Sequence, residues 1–122
     1  SLAMEAIVAA DALRREKVRA GVLGLRVFRP FPKRDIAEAL RRCRLVVVFD
    51  KNVSYGNEGA TCSEIKAALY GNGTNAAVRN FIVGLGGRDV KARELTDAVK
   101  KALSSLDGGS LNNEYAEWIC EI

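Results

Sequence analysis

The side chains that could take part in chemistry lie just after apolar segments of the chain. Asp50 follows the apolar run of residues 45–49, and the other carboxylates near glycine-rich turns are Glu58, Glu64 and Asp89. Carboxylates can act as general acids or bases, but these do not have the spacing of a metal site, which makes them a weak catalytic signal. The sequence contains no histidine, so Ser-His and Cys-His nucleophile pairs are excluded within this chain.

Two glycine-rich segments are candidate anion sites. In the first, Gly56, Glu58 and Gly59 precede an expected helix, where backbone N–H groups can bind a phosphate. The segment has neither the P-loop lysine nor the spacing of a dinucleotide-binding loop, and Glu58 would repel an anion. The sequence therefore favours a turn that glycine makes possible.

The second segment, residues 84–89 (GLGGRD), contains Arg88, which could reach a phosphate. An ion pair between Arg88 and Asp89, or a contact of Arg88 with a neighbouring domain, is an equally good interpretation. An independent module that binds a small anionic ligand, such as CoA or a phosphate, is therefore an alternative function.

The three cysteines, Cys43, Cys62 and Cys120, are odd in number and widely spaced. They fit reduced thiols in a cytoplasmic protein and make neither a disulfide framework nor a CxxC metal pair. Cys43 falls on the apolar stripe of an expected helix, so we expect it in the core. Cys62 lies near a helix start, where a thiol pKa can fall, but without a histidine to assist it we expect a packed thiol.

The charge pattern indicates a solvated surface rather than a nucleic-acid site. The net charge is +4, and basic residues cluster at residues 14–19 and 41–44, where helices should end and their dipoles favour cations. Nucleic-acid binding is the sharper alternative, but no aromatic side chains interleave with these charges, so we expect no nucleic-acid partner. We also expect no membrane association, because no apolar run approaches the roughly 20 residues of a membrane span and no signal-peptide pattern is present.

Apolar periodicity predicts helices and strands in alternation. The expected helices cover residues 3–16, a segment that starts at Pro32, a segment that starts near Gly59, and a long helix that stops at residues 107–110. The expected strands lie around residues 22–28, 45–49 and 81–85. The inward positions of the first two helices are expected to be Ala3, Ala6, Ile7, Ala10 and Leu13, then Ile36, Ala39, Leu40 and Cys43. The tail beyond residue 107 is expected to form a short amphipathic segment that docks on the domain or on a partner.

This alternation implies a single α/β domain over residues 1–122, with three α/β/α layers and a mainly parallel sheet. The run at residues 45–49 is apolar throughout, which is typical of a parallel strand buried on both faces. Parallel strands bring their C-terminal ends to one edge, where α/β proteins bind ligands. Five side chains that follow the expected strands should gather at that edge, namely Arg29, Asp50, Glu58, Arg88 and Asp89.

Three blocks of sequence point to a family. They are residues 26–32 (RVFRPFP), residues 47–56 (VVFDKNVSYG) followed by Glu58, Gly59 and Glu64, and residues 80–90 (NFIVGLGGRDV). In this order and at these spacings, the chain resembles the C-terminal domain of the α subunit of pyruvate (2-oxoacid):ferredoxin oxidoreductase. That domain is similar to the C-terminal domain of transketolase. The resemblance runs from residue 1 to about residue 90 and weakens towards the tail.

The resemblance implies an enzyme that oxidises a 2-oxoacid with coenzyme A, releases carbon dioxide and reduces ferredoxin. Its cofactors are thiamine diphosphate, Mg²⁺ and iron–sulfur clusters, and none of those cofactor sites maps onto this chain. The implied role is therefore a non-catalytic assembly or interface domain of a cytoplasmic oligomer. Its partners would be the other subunits and, through the holoenzyme, ferredoxin, and the chain alone is expected to be inactive.

The front of the sequence carries one further expectation. Domains of this family ordinarily have a buried strand before the first helix, and the sequence begins at the turn that follows it. Without that strand, an open apolar sheet edge would invite pairing with another segment. We therefore expect a piece of a longer subunit, whose sheet is completed by another segment or chain or is closed by two strands moving together.

Overall fold

A computed structural model describes residues 2–25, 29–51, 59–70, 76–84, 89–108 and 117–118. The described residues form four helices, α1 (Leu2–Arg15), α2 (Lys33–Ala39), α3 (Ala60–Leu69) and α4 (Ala92–Gly108). They also form three strands, β1 (Leu45–Asp50), β2 (Ala77–Ile82) and β3 (Glu117–Trp118). None of these helices is both long and apolar enough to cross a membrane.

The sheet is parallel, in the order β1-β2-β3. β1 and β2 pair along their whole length, from Leu45 opposite Ala77 to Asp50 opposite Ile82, and β2 pairs in parallel with β3. Each of the connections β1–α3–β2 and β2–α4–β3 passes through a helix, as parallel pairing requires. The predicted α/β class with a parallel sheet is confirmed.

A core lies on each side of the sheet, which gives the three predicted layers. The α2/α3 core is formed by buried side chains of those two helices and of both long strands: Ile36, Leu40, Val46, Val48, Cys62, Ile65, Ala68, Leu69 and Val78. The α1/α4 core contains Ala9, Phe81, Val83, Leu95, Ala98 and Ala102, with Leu45, Val47 and Phe49 packed against it. β1 therefore packs on both faces, as its apolar run predicts.

Helix α1 ends in a Schellman motif. The N–H of Val18 donates to the Leu13 carbonyl and the N–H of Lys17 donates to the Arg14 carbonyl, at 3.0 Å and 2.9 Å. Lys17 takes the left-handed conformation with φ 66°, where glycine is the residue most often found. The chain then crosses the domain, and Leu25 packs against the α2/α3 core.

The strand expected around residues 22–28 is wrong for its described part. Residues 22–25 form no strand, and Val22 and Leu23 are exposed, while residues 26–28 lie outside the described residues. Among the described residues 22–25, only Leu25 packs against a core, so the apolar composition of these residues was a misleading strand signal. The strand expected at residues 81–85 overlaps β2 only at residues 81–82, because β2 begins at Ala77 and ends at Ile82. The apolar pattern missed its first half because Arg79 and Asn80 are polar although they are buried.

Two helix faces also differ from expectation. Cys43 is exposed rather than in the core, because α2 ends at Ala39 and helical spacing no longer applies beyond it. Ala39, also expected to face inward, is exposed at that end. Ala3 and Ile7 of α1 are exposed, and the buried positions are Ala9, Ala10 and Leu13. The expected packed thiol of Cys62 is confirmed, since this residue is 0% exposed in the α2/α3 core. The described part of the tail forms β3, where the sequence predicts a docking segment rather than a strand.

Candidate functional site

The carboxyl ends of β1 and β2 meet the start of α3 in a buried polar network. Along one face of β1, Val46 and Val48 contribute to the α2/α3 core and Asp50 comes next in the same alternation. Asp50 is 3% exposed. One of its carboxylate oxygens accepts a hydrogen bond from the N–H of Thr61 and the other accepts one from the N–H of Cys62, both at 3.1 Å. Asp50 thus caps α3 from another element.

Asn80 is the second member of this network and lies on the same face of β2. Its side-chain nitrogen donates to the Val48 carbonyl at 3.0 Å and to the Asp50 carboxylate at 3.1 Å. Its side-chain oxygen accepts the N–H of Gly59 at 2.7 Å. Asn80 therefore joins both strands to Gly59, the residue just before α3. We call Asp50, Asn80, Gly59 and the N–H groups of Thr61 and Cys62 the Asp50 network.

Gly59 fits this network because it has no side chain. It is buried and is the N-cap residue of α3, with an extended backbone at φ −63° and ψ 151° that any residue can adopt. A Cβ at this position would collide with the Asp50 carboxylate and would lie 2.6 Å from the Asp50 Cβ. Glycine is thus required here for space, and not for an unusual backbone conformation.

Arg29 lies beside the same helix but on its surface. Its guanidinium nitrogen is 3.3 Å from a carboxylate oxygen of Glu64, with side chains 64% and 27% exposed. An ion pair this exposed contributes little to stability, about 0–1 kcal/mol. Arg29 precedes a cis peptide bond to Pro30, and Phe31 packs against the α2/α3 core, which anchors this turn.

The structure brings some of the predicted site residues together. Asp50, Gly59 and Arg29 all lie along the first two turns of α3. Asp89 is exposed and no contact ties it to that group among the described residues. Gly56, Glu58 and Arg88 lie outside the described residues, so the shared edge stays a prediction for them.

Most of the hydrogen-bonding groups at the start of α3 are already used within the Asp50 network. The Asp50 carboxylate accepts three hydrogen bonds in a buried setting, which suits a structural cap better than a general base. The N–H groups that a phosphate would need are also used, because those of Gly59, Thr61 and Cys62 all donate within the network. The described start of α3 therefore offers an anion few open donors.

Sequence reasoning missed Asn80, which is the residue that completes the network. Its signal is a polar residue next to Arg79 in a segment flanked by apolar residues, 30 residues after Asp50. Arg79 is also buried, and burial lowers the pKa of its guanidinium from the ordinary value. Within the described ranges, no three histidine, cysteine, aspartate or glutamate side chains come close enough to hold a metal ion.

These observations define an α/β domain with a parallel sheet, in which a buried carboxylate at the strand ends caps the next helix. Residues 1–95 match the model of the family described as pyruvate:ferredoxin oxidoreductase core domain II. The chain therefore belongs to that family, whose fold is transketolase C-terminal-like.

Similar proteins are named as subunits of ketoisovalerate oxidoreductase and of pyruvate synthase. The chain is 37% identical over 110 residues to ketoisovalerate oxidoreductase subunit VorA of Pyrococcus horikoshii, covering 90% of this chain and 28% of that protein. It is 39% identical over 102 residues to pyruvate synthase subunit PorA of Methanocaldococcus jannaschii, covering 83% of this chain and 25% of that protein. The chain thus spans about a quarter of the length of the curated relatives that it matches.

Proposed function

We propose that this chain is a non-catalytic assembly domain in the α subunit of a 2-oxoacid:ferredoxin oxidoreductase. The holoenzyme would convert a 2-oxoacid and coenzyme A into an acyl-CoA and carbon dioxide and would pass electrons to ferredoxin. The observation that carries the proposal is the family match over residues 1–95, together with the relatives named for such enzymes. The Asp50 network supports the non-catalytic part, because the buried carboxylate at the strand edge serves the fold.

The cofactors of the holoenzyme would be held by other domains or subunits. Thiamine diphosphate, Mg²⁺ and iron–sulfur clusters are the cofactors that the family resemblance implies. A four-cysteine cluster does not fit the residues of this chain, which has three cysteines in all. Cys62 is fully buried in the α2/α3 core and Cys43 is exposed near the end of α2, so these two thiols belong to different environments.

The choice of 2-oxoacid would also be made elsewhere. The chain is about equally similar to subunits named for pyruvate and for ketoisovalerate, at 39% and 37% identity. A domain that contacted the variable part of the substrate would differ between such enzymes. We propose pyruvate as the first substrate to test, in a cytoplasmic enzyme, and ketoisovalerate as the second.

The test is reduction of a low-potential viologen dye that depends on 2-oxoacid and coenzyme A. The oxidoreductase is assembled with an α subunit that contains this domain and, in parallel, with an α subunit from which this domain has been deleted. We expect activity only in the complete assembly, and none from the chain alone. Dye reduction by the isolated chain would overturn the non-catalytic role, and full activity without the chain would overturn the role in assembly.

A further inference from the structure

The first part of α1, about two and a half turns, is apolar except at one position. Between Leu2 and Ala10 the only charged residue is Glu5, and one of its carboxylate oxygens accepts a hydrogen bond from the N–H of Ala92 on α4 at 2.8 Å. Over residues 2–10, the side of α1 that faces away from the sheet is formed by Ala3, Met4, Ile7 and Val8, which we call the outer stripe. Beyond it, the exposed side of α1 carries the charged residues Asp11, Arg14 and Arg15. Met4, Ile7 and Val8 are 62%, 48% and 54% exposed.

Helix α4 lies beside α1 in the same layer and has an ordinary solvent-facing side. Its exposed positions are charged or polar, namely Arg93, Asp97, Lys100, Lys101 and Ser104. A surface helix normally carries charged and polar residues opposite its buried face, whereas a helix that is apolar all round is a buried helix. The contrast between two neighbouring helices indicates that the outer stripe of α1 is covered in the native protein and that the outer side of α4 is not.

We propose that the outer stripe of α1 docks on another domain of the same subunit. This inference rests on the proposed function, because it takes the relatives' architecture as a guide. About three-quarters of each of those relatives lies outside the stretch that matches this chain, and the matching family is described as one core domain. The occupant should present an apolar surface, since the stripe offers it no charged group.

The small size of the stripe favours a tethered domain over a second copy of the chain. Residues 3–8 cover less than two helical turns, far less surface than the roughly 800 Å² per partner that a stable dimer buries. A domain on the same polypeptide needs fewer contacts, because the tether raises its effective concentration to about the millimolar range. Apolar contacts of a few side chains then suffice to keep the two domains together.

Met4 provides a direct probe because it is the single methionine of the chain. In the assembled oxidoreductase, the rate of Met4 oxidation by hydrogen peroxide is measured by peptide mass spectrometry and compared with that of the same preparation unfolded in urea. If the stripe is docked, it is covered most of the time. Met4 should then be oxidised at least about tenfold more slowly in the assembly than in urea. Alkylation of Cys43, which is exposed in the opposite layer, serves as the control for general accessibility.

A matched pair of variants provides the second test. Val8→Glu places a charge in the outer stripe, and Ser104→Glu places the same charge on the exposed side of α4 in the same layer. We expect Val8→Glu to restore fast oxidation of Met4 in the assembly, and we expect Ser104→Glu to leave Met4 protected. The helical circular dichroism signal of both variants should match that of the parent chain, since both positions are exposed.

The outcomes that test the docking surface differ from those that test the proposed function. Oxidation of Met4 at the unfolded rate in an assembly that reduces dye would overturn the docking surface and leave the enzyme assignment intact. Protection of Met4 in an assembly without 2-oxoacid-dependent activity would support the surface and count against the proposed reaction. Sedimentation velocity distinguishes the occupant: protection that requires a dimer of this chain would overturn the tethered domain in favour of a second copy.

Discussion

The two helical layers are attached to the sheet in different ways. On one side, the start of α3 is fixed to β1 and β2 by the Asp50 network, a set of directional hydrogen bonds between buried groups. On the other side, α1 and α4 pack through alanine and leucine side chains, and the hydrogen bonds Glu5–Ala92 and Lys100–Glu16 lie at the margin of this packing. Buried hydrogen bonds specify one position, because any shift leaves a donor unsatisfied. Apolar contacts tolerate small shifts at lower cost, so the layers should respond differently to substitution.

The largest effect is expected for Asp50→Ala. It removes a buried carboxylate and leaves the N–H groups of Thr61 and Cys62 and the Asn80 amide without their acceptor. We expect the free energy of unfolding to fall by about 4 kcal/mol, since each buried unsatisfied donor costs about 1–3 kcal/mol. Urea unfolding followed by circular dichroism measures it. Asp89→Ala, which removes an exposed carboxylate, should change the value by less than about 0.5 kcal/mol. Equal effects would contradict the cap.

Gly59→Ala should have the next largest effect. The added methyl group would collide with the Asp50 carboxylate, so the start of α3 must shift away from the strand ends. We expect a loss of about 2 kcal/mol, within the range for overpacking a tight site. Gly24→Ala is the matched control, because a Cβ at residue 24 would meet no atom within 4 Å. If the two alanine variants were equally stable, the close fit around Asp50 would be wrong.

Glu5→Ala tests the margin of the opposite layer. Glu5 accepts the N–H of Ala92 at the first residue of α4, which is a capping contact supplied by α1. Its loss should cost about 1 kcal/mol, as is usual for a helix N-terminal cap. Differential scanning fluorimetry should show a lower melting temperature for this variant than for Glu38→Ala, whose carboxylate lies 3.8 Å from Arg41 on an exposed surface. An unchanged melting temperature would show that α1 and α4 do not depend on this contact.

The smallest effect is expected for the ion pair between Lys100 and Glu16. The charged atoms are 2.9 Å apart and the side chains are 46% and 52% exposed. A double-mutant cycle with Lys100→Ala and Glu16→Ala should give a coupling energy of about 0.3 kcal/mol, which decreases as salt is added. A coupling above about 1 kcal/mol would mean that this margin contributes as much as the Glu5 cap.

The sequence predicts the elements of this domain better than their faces. The strand–glycine loop–helix unit around β1 and α3 follows from an apolar run, a breaker and a helical period, and these local signals agree. In α1 the same signal fails, because apolar residues on all sides leave periodicity with no preferred stripe, so Ile7 is expected inside and lies outside. This wrong prediction for α1 is informative, because α1 is also the helix that exposes an apolar stripe.

The candidate site was predictable only in part for a similar reason. Asp50 and Gly59 stand out in the sequence as a carboxylate after a buried strand and a glycine before a helix. Asn80 does not stand out, because its role depends on the register that places it opposite Val48. Register is a property of the folded sheet, set by long-range pairing, and no local pattern in β2 contains it.

We propose that the Asp50 carboxylate at the strand edge serves the fold and not the reaction. The measurement is the rate of 2-oxoacid-dependent dye reduction per assembled complex, with this chain carrying Asp50→Asn, at a temperature where the variant remains folded. We expect the variant assembly to react at a rate within about twofold of the parent assembly, which corresponds to a change of less than about 0.5 kcal/mol in the activation free energy. We also expect the variant to unfold at a lower temperature. A fall of about a hundredfold or more in fully assembled complexes, the scale of a lost general acid or base, would contradict the account.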